Sequence, residues 1–468
     1  MLRIFGHYYS AATLGLFLCE SCVATMIIYA LLSLVAAGSA PTPTDLPNFA
    51  LSVAIPGIFN AVMMYSLGLY DRSLMADIWR AAPRLLASFA ICTPVIVGCL
   101  TFETPGAWDS ARVPLWVFYG TAGLAAPLCV LAARFFYLTL ARVAMTPRRI
   151  LVVGAGKRAV EIEKLMAARA HPELEIVGYV SLTDETPEIS EARIKLLNGP
   201  LLDVARETGA KEIVVALTER RGAPLQPLLE ARMEGIRITS YLSFWERETQ
   251  RVNLTALDPS WLIYSDGFRL GTATNVFLKR LLDIVASFGL LIFTLPTLFL
   301  VALAVRLDSP GPVLYRQERV GRYGKSFVIY KFRTMRLDAE MSGVPQWAAA
   351  RDPRITRIGS ILRSTRIDEL PQIINVLKGE MSFVGPRPER PFFVESLSRD
   401  IPSYTERHRV RPGITGWAQI NYPYGASIED AKAKLSYDLY YIKNYSFLFD
   451  LMIILSTAHA VFAKKGGR

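Results

Sequence analysis

The sequence predicts a membrane protein of mixed α and α/β class in three parts. These are a four-helix transmembrane bundle, a Rossmann-like α/β domain, and a monotopic, mostly helical domain with a re-entrant, proline-kinked helix. Three observations predict it. Four apolar stretches, each near the roughly 20 residues that span a bilayer, open the chain. Strand-like and helix-like segments then alternate. A later apolar stretch is broken by a proline and carries basic residues on both flanks.

Composition agrees. The 468 residues suggest about three domains at roughly 150 residues each. With 52% hydrophobic and 20% charged residues, the chain is not disordered and is poorly suited to a wholly soluble life. Its charge is unevenly placed. Residues 1–271 carry 24 basic and 24 acidic side chains, whereas residues 272–468 carry 28 and 17, so the whole net charge of +11 lies in the last part. An anionic partner is therefore expected there.

The apolar stretches run over 11–37, 49–69, 83–102 and 114–138. The first is too long for a removable signal peptide and lacks a small-residue cleavage pattern. Arg72, Arg80 and Arg84 occupy the second connection, and Arg142, Arg148 and Arg149 follow the fourth stretch. The first connection has no basic residue and the third has only Arg112, which predicts four spans with both termini cytoplasmic. Cys19, Cys22, Cys92, Cys99 and Cys129 all fall in these runs and read as buried membrane thiols, not as a disulfide framework or zinc site. His7, His171, His408 and His459 are too scattered for a histidine metal centre.

Arg149-Ile-Leu-Val-Val-Gly154-Ala-Gly156 reads as a buried strand entering a glycine turn and a helix. Further strands are expected at 175–180, 212–217 and 236–241. Gly154 and Gly156 would let backbone approach a phosphate at a helix N-terminus. The only acidic candidate for a ribose contact is Asp184, well past the second strand, so nucleotide binding and a structural or regulatory role both stay open. The boundaries expected are 1–145, 146–245, a linker at 246–271, and 272–468.

The last part opens with the apolar run Ile284–Val305, interrupted at Thr294-Leu-Pro296-Thr297. Lys279 and Arg280 precede it; Arg306, Arg316, Arg319, Arg322 and Lys325 follow. Both flanks favour the cytoplasm, so a helix that enters, bends at Pro296 and returns, over about 276–306, fits better than a fifth span. The run 447–462 contains Asp450 and His459 and is expected to be interfacial or core, with Lys464 and Lys465 among headgroups.

Four clusters carry chemistry. In Arg363-Ser-Thr-Arg366-Ile-Asp368-Glu369-Leu-Pro371…Gly379, the proline and glycine mark a helix start and end, placing both carboxylates at its N-terminus. Such a pair is suited to nucleophilic attack on phosphorus, to holding Mg²⁺ against a diphosphate, or simply to capping a helix beside arginines. Phe327-Val-Ile-Tyr-Lys331-Phe-Arg333 reads as a strand presenting Lys331 and Arg333 on one face. Gly385-Pro386-Arg387-Pro388-Glu389 holds an arginine between two prolines, suited to phosphate recognition. Arg409-Val-Arg411-Pro-Gly413-Ile-Thr415-Gly416-Trp417 adds a turn with two more arginines and an interfacial-type tryptophan.

These clusters, in this order after a proline-broken apolar helix, resemble the bacterial polyprenyl-phosphate sugar-1-phosphate transferases, the monotopic phosphoglycosyl transferases of exopolysaccharide and O-antigen priming. The resemblance covers 272–468; the four spans, the Rossmann-like segment and Leu69-Tyr70-Asp71-Arg72 look like the long members. It implies that Asp368 attacks the β-phosphorus of a UDP-sugar, releases UMP, and passes the phosphosugar to polyprenyl phosphate. Glu369 would act as base or position Mg²⁺ with Asp368, and Lys331, Arg333, Arg387 and Arg411 would steady the phosphates. It further implies a multi-pass protein of the inner membrane with its catalytic part cytoplasmic, contacts with membrane lipid but not nucleic acid, and a homodimer. Where small members break the re-entrant helix at Ser-Pro, this chain has Leu295-Pro296, which leaves any capping to a neighbour such as Thr294. Two other classes compete. A membrane-tethered NAD-dependent sugar-nucleotide dehydratase needs Tyr-x-x-x-Lys, and no tyrosine here has a lysine four positions later. A non-catalytic scaffold is disfavoured by the intact Asp368-Glu369 and Pro386-Arg387-Pro388.

Overall fold

The computed structural model describes residues 2–4, 7–36, 46–70, 77–103, 120–144, 147–168, 173–181, 187–190, 194–195, 200–218, 223–257, 265, 267–268, 272–336, 354–423, 425 and 427–462. Asp71, Arg72, Asp184, Lys464 and Lys465 lie outside them. The chain is mostly helical and divides into two compact units, Met1–Leu138 with Asp266–Arg468, and Thr139–Ser265.

The first unit opens with a short antiparallel pair, β1 (Leu2–Ile4) and β2 (His7–Tyr9), then α1 (Ala11–Ala36), α2 (Leu46–Ser66) and α3 (Ile78–Glu103). A π turn, Thr121–Ala125, leads into α4 (Ala126–Ala144). Leu16, Glu20, Ala24 and Ile28 are all buried, one every four residues along one face of α1. The glutamate on that stripe is matched: Arg134 of α4 donates from Nε to Glu20 Oε1 (2.6 Å) and from Nη2 to Oε2 (3.2 Å) and to the Leu69 carbonyl (3.0 Å). A core of Leu16, Ala24, Met64, Leu69, Ala81, Leu85, Phe89, Ala126 and Val130 draws on all four helices. Among the described residues, the helical segments Ala11–Ala30, Gly123–Ala141 and Ala273–Asp308 are long and apolar enough to cross a membrane.

The second unit holds a five-stranded, all-parallel sheet of β3 (Arg148–Val153), β4 (Leu174–Val180), β5 (Ile194–Lys195), β6 (Glu212–Val215) and β7 (Arg237–Ser240). Its order is β5-β4-β3-β6-β7, with α5 (Lys157–Ala168), α6 (Leu201–Glu207), α7 (Leu225–Met233) and α8 (Tyr241–Thr249) interspersed in the chain. β3 runs into Gly154, whose φ of 115° needs a glycine. The five strands include β5, two residues long, which no alternation in the sequence announces.

The remaining elements belong to the first unit. α9 (Ala273–Asp308) contains Pro296; β8 (Leu314–Val320) and β9 (Ser326–Phe332) pair antiparallel. Then come α10 (Arg357–Thr365), a 3₁₀ turn (Ile367–Gln372), α11 (Ile373–Lys378), β10 (Ser382–Val384) and α12 (Pro391–Asp400). β11 (Gly413–Thr415) pairs parallel with β10, and α13 (Trp417–Asn421), α14 (Ile428–Lys443) and α15 (Phe447–Phe462) close the chain.

α9 is tied to the rest of this unit near both of its ends. Arg280, near its start, donates to the carbonyls of Val376 (2.6 Å) and Leu377 (2.7 Å), while Val305, near its end, accepts from Arg333 (3.3 Å). A straight helix would hold Arg280 and Val305 about 38 Å apart. Their partners belong to neighbouring elements: the Asn375 side chain, beside Val376, accepts from the Tyr330 N–H at 3.2 Å, and Arg333 lies three residues further along, just past β9. Pro296 lies between the two anchors, and the Thr294 hydroxyl donates back to the Leu290 carbonyl (2.6 Å), a bond that also favours bending. The intervening segment presents Ile292, Phe293, Leu295, Phe299 and Leu300 to the outside.

Candidate active site

Asp368 and Glu369 begin the 3₁₀ turn that follows α10. The chain changes direction at Arg366, a non-glycine residue held at φ 61°, so the carboxylates start a new element against β9 instead of extending α10. Pro371 sits inside that turn, and Gly379, at φ 83°, ends α11. Both carboxylate residues are 8% exposed.

Their environments differ. Lys331 Nζ donates to Glu369 Oε1 at 2.8 Å, Arg387 Nη2 donates to the same oxygen at 2.5 Å, and Arg387 Nη1 reaches Oε2 at 3.4 Å. Among the described residues, no hydrogen bond reaches the Asp368 carboxylate. The titration behaviour follows. Burial works to raise Glu369, but the Arg387 and Lys331 charges outweigh it and hold the carboxyl well below the usual range. Burial and the neighbouring Glu369 charge push Asp368 up, against Lys331, Arg387 and Arg363. Lys331 is lowered by its own burial and by Arg387, with Glu369 opposing. One carboxylate is thus locked as an anion between two cations. The other is unengaged and more basic than an ordinary aspartate.

Local structure delivers each group. Lys331 lies in register opposite Tyr315 on the β8–β9 ribbon. Arg387 leaves the end of β10, where backbones approach closely: a Cβ on Gly385 would lie 2.3 Å from the Arg411 carbonyl. The Gly385 N–H donates to Thr415 and the Gly413 N–H donates to Pro386, each at 2.9 Å.

The other expected residues go elsewhere. Arg333 follows the end of β9, and its guanidinium donates to the carbonyls of Pro310 (2.9 Å), Ser309 (2.6 Å) and Val305 (3.3 Å), closing the C-terminal end of α9. The structure does not bring it to the carboxylates. Arg411 lines a small cavity with Val276, Lys279, Arg322, Val410 and Tyr445. Trp417, read as interfacial, is buried among His7, Tyr440 and Phe449. Sequence reasoning missed Lys279, Asp283 and Asp450 as buried partners. Lys279 donates to the Val384 carbonyl (2.9 Å), to Tyr441 Oη (3.0 Å) and to Asp450; Asp283 accepts from Ser382 Oγ and the Phe383 N–H, each at 2.9 Å. The available signal was a lysine and an aspartate four apart on an apolar helix, which share a face.

Among the described residues, no group of three or more His, Cys, Asp or Glu side chains gathers to hold a metal. A magnesium ion would suit the site only with substrate oxygens completing its shell, since Mg²⁺ keeps waters and takes one or two carboxylates. The open Asp368 carboxylate and the loosely held Glu369 Oε2 fit that requirement.

A family model described as "Bacterial sugar transferase" matches residues 274–464. The UDP-N-acetylgalactosamine-undecaprenyl-phosphate N-acetylgalactosaminephosphotransferase of Aeromonas hydrophila is 43% identical over 223 residues, 48% of this chain and 52% of that protein. The UDP-glucose:undecaprenyl-phosphate glucose-1-phosphate transferase of Escherichia coli (strain K12) is 44% identical over 196 residues, 42% of each chain. These two matches thus span about half of their relatives' length or less. The exopolysaccharide production protein PSS of Rhizobium leguminosarum bv. phaseoli is 46% identical over 192 residues, 39% of this chain and 94% of that protein.

Proposed function

The chain belongs to the bacterial sugar transferase family, and from that premise we propose that it moves a sugar-1-phosphate from a UDP-sugar to polyprenyl phosphate. UMP leaves, and polyprenyl-diphosphate-sugar is the product, a first membrane step of polysaccharide assembly. One observation carries this reading: Asp368 offers a free, basic carboxylate beside Glu369, whose Oε1 accepts from both Lys331 and Arg387.

Asp368 Oδ attacks the phosphorus that bears the sugar, and the bond from that phosphorus to the UMP oxygen breaks. An acceptor phosphate oxygen then attacks the same phosphorus from the lipid side and frees the Asp368 carboxylate. Glu369 is too firmly ionised for a general base, so its work is to hold Lys331 and Arg387 where the transferring phosphate's charge develops. Magnesium, held by Asp368, Glu369 Oε2 and the diphosphate, would neutralise part of the donor's charge.

Four spans from α1 to α4, both termini cytoplasmic and a re-entrant α9 complete the reading, which places the site on the cytoplasmic face of the inner membrane where sugar nucleotides are. The sheet order of the second unit supports a Rossmann-like domain, with Gly154 and Gly156 as its nucleotide loop. The test uses purified protein with a panel of UDP-sugars, polyprenyl phosphate and Mg²⁺. Asp368→Asn should abolish UMP release, and mass spectrometry of the wild type quenched without acceptor should find a phosphosugar on Asp368. Unchanged turnover in that variant would sink the nucleophile assignment.

A further inference from the structure

Arg387 must hold its guanidinium on Glu369 from a short loop, and the backbone of that loop is fixed carbonyl by carbonyl. Pro386 accepts from the Gly413 N–H (2.9 Å), Glu389 from the Val320 N–H (2.9 Å), and Pro388 from Arg319 Nη1 (3.1 Å). The Arg387 carbonyl accepts from Arg407 Nη2 at 3.1 Å. That bond has no backbone substitute. The peptide joining Arg387 to Pro388 lacks an N–H, so its carbonyl is the only hydrogen-bonding handle on it.

Arg407 is placed for this task with care. It is 5% exposed, its Nη2 lies 2.8 Å from Oδ2 of Asp438 on α14, and its Nη1 donates to Tyr404 Oη at 2.5 Å. Asp438 is 2% exposed, so two charges have been taken out of water. A buried ion pair of this kind is weak evidence for stability, because desolvation consumes most of the attraction. Its effect here is positional: together with the Tyr404 hydrogen bond it holds a rigid, planar donor against one carbonyl.

We infer that Arg407 and Asp438 are positioning residues, which set where Arg387 meets Glu369 and thereby the transferring phosphate; this rests on the reaction proposed above. The pair does not touch substrate. It acts through the Arg387 main chain, and it is the only charged pair among the described residues that holds that carbonyl.

The experiment compares the full-length wild type with the apolar replacement R407M/D438L, each also in an Arg387→Ala background. Readouts are the thermal midpoint, and kcat and KM for UMP release with UDP-glucose or UDP-N-acetylgalactosamine, whichever the wild type uses. Replacing both members with apolar residues should leave the melt unchanged or raised. kcat/KM should fall about tenfold or more in the wild-type background and less than about twofold further once Arg387 is absent, the coupling expected of groups that act as a unit. Arg407→Lys, which keeps one donor, should recover part of the loss. Wild-type kcat/KM in R407M/D438L, an equal loss in both backgrounds, or a collapsed melt would each overturn the positioning role. A wild type that releases no UMP from any UDP-sugar would instead overturn the reaction itself.

Discussion

At the scale of single residues, the site turns on an asymmetry between two adjacent carboxylates. Asp368 has to be ionised to attack, and burial together with the Glu369 charge raises its pKa, so the acid limb of kcat/KM should lie above the ordinary aspartate range of about 4. Glu369→Gln removes that like charge. It also frees Lys331 and Arg387 to act on Asp368, which lowers the pKa in the same direction. The acid limb of this variant should therefore move to lower pH while turnover falls on the order of 100-fold, because the two cations lose their anchor. A pH–rate profile checks both, and a limb that stays in place or rises would contradict the assigned charges. Stability follows its own sign. Glu369 is depressed in the folded state, so its contribution is fully present above the ordinary glutamate pKa and is lost as pH falls toward the folded value.

At the scale of elements, α9 is tied down by charges that the sequence offered as membrane flanks. Lys279 is buried against Asp450 of α15, Tyr441 of α14 and the end of β10, so one ammonium joins four elements. Lys279→Met alone leaves the Asp450 charge buried and unpaired, which should cost about 3–5 kcal/mol; Lys279→Met with Asp450→Leu should be near neutral or stabilising. Thermal midpoints in detergent decide this, and equal midpoints for the single and double variants would show that the pair carries no such burden. This element was partly legible. Pro296 and the basic flanks predict a re-entrant bend, whereas Lys279 and Arg280 read only as basic flanks because their partners, Asp450 and the carbonyls of Val376 and Leu377, lie far along the chain. Lys331 followed from strand alternation. Arg333 did not, since β9 ends at Phe332 and alternate residues then need not share a face. Pro371 and Gly379 announced a helix with both carboxylates at its start; Gly379 does end it, but Asp368, Glu369 and Pro371 fall in a 3₁₀ turn that precedes its first residue, Ile373. Arg407 and Asp438 gave no such signal, being 31 positions apart and joined only by packing.

For the whole molecule, the excess positive charge of residues 272–468 marks the part in which the carboxylate pair and its cations assemble, but composition could not say which cations are free. Many of them are consumed internally: Arg280 and Arg333 cap helix ends, and Lys279 and Arg407 sit in buried pairs. Net charge therefore located the site without counting its ligands. The largest-scale claim is topological. If α9 enters and leaves by one face, Thr274 at its start and Pro310 just after it lie on the same side of the bilayer. Thr274→Cys and Pro310→Cys, each in a chain whose five native cysteines are replaced by alanine or serine, allow that to be measured. A membrane-impermeant maleimide should label both cysteines in inverted vesicles and neither in right-side-out ones. Labelling from opposite sides would make α9 a full span and would separate Arg280 from Val305 by a bilayer. That arrangement would strain the hydrogen bonds that tie Arg280 to α11 and Val305 to Arg333, elements themselves joined through Asn375 and Tyr330. The sidedness measurement thus tests the membrane reading and the site geometry together.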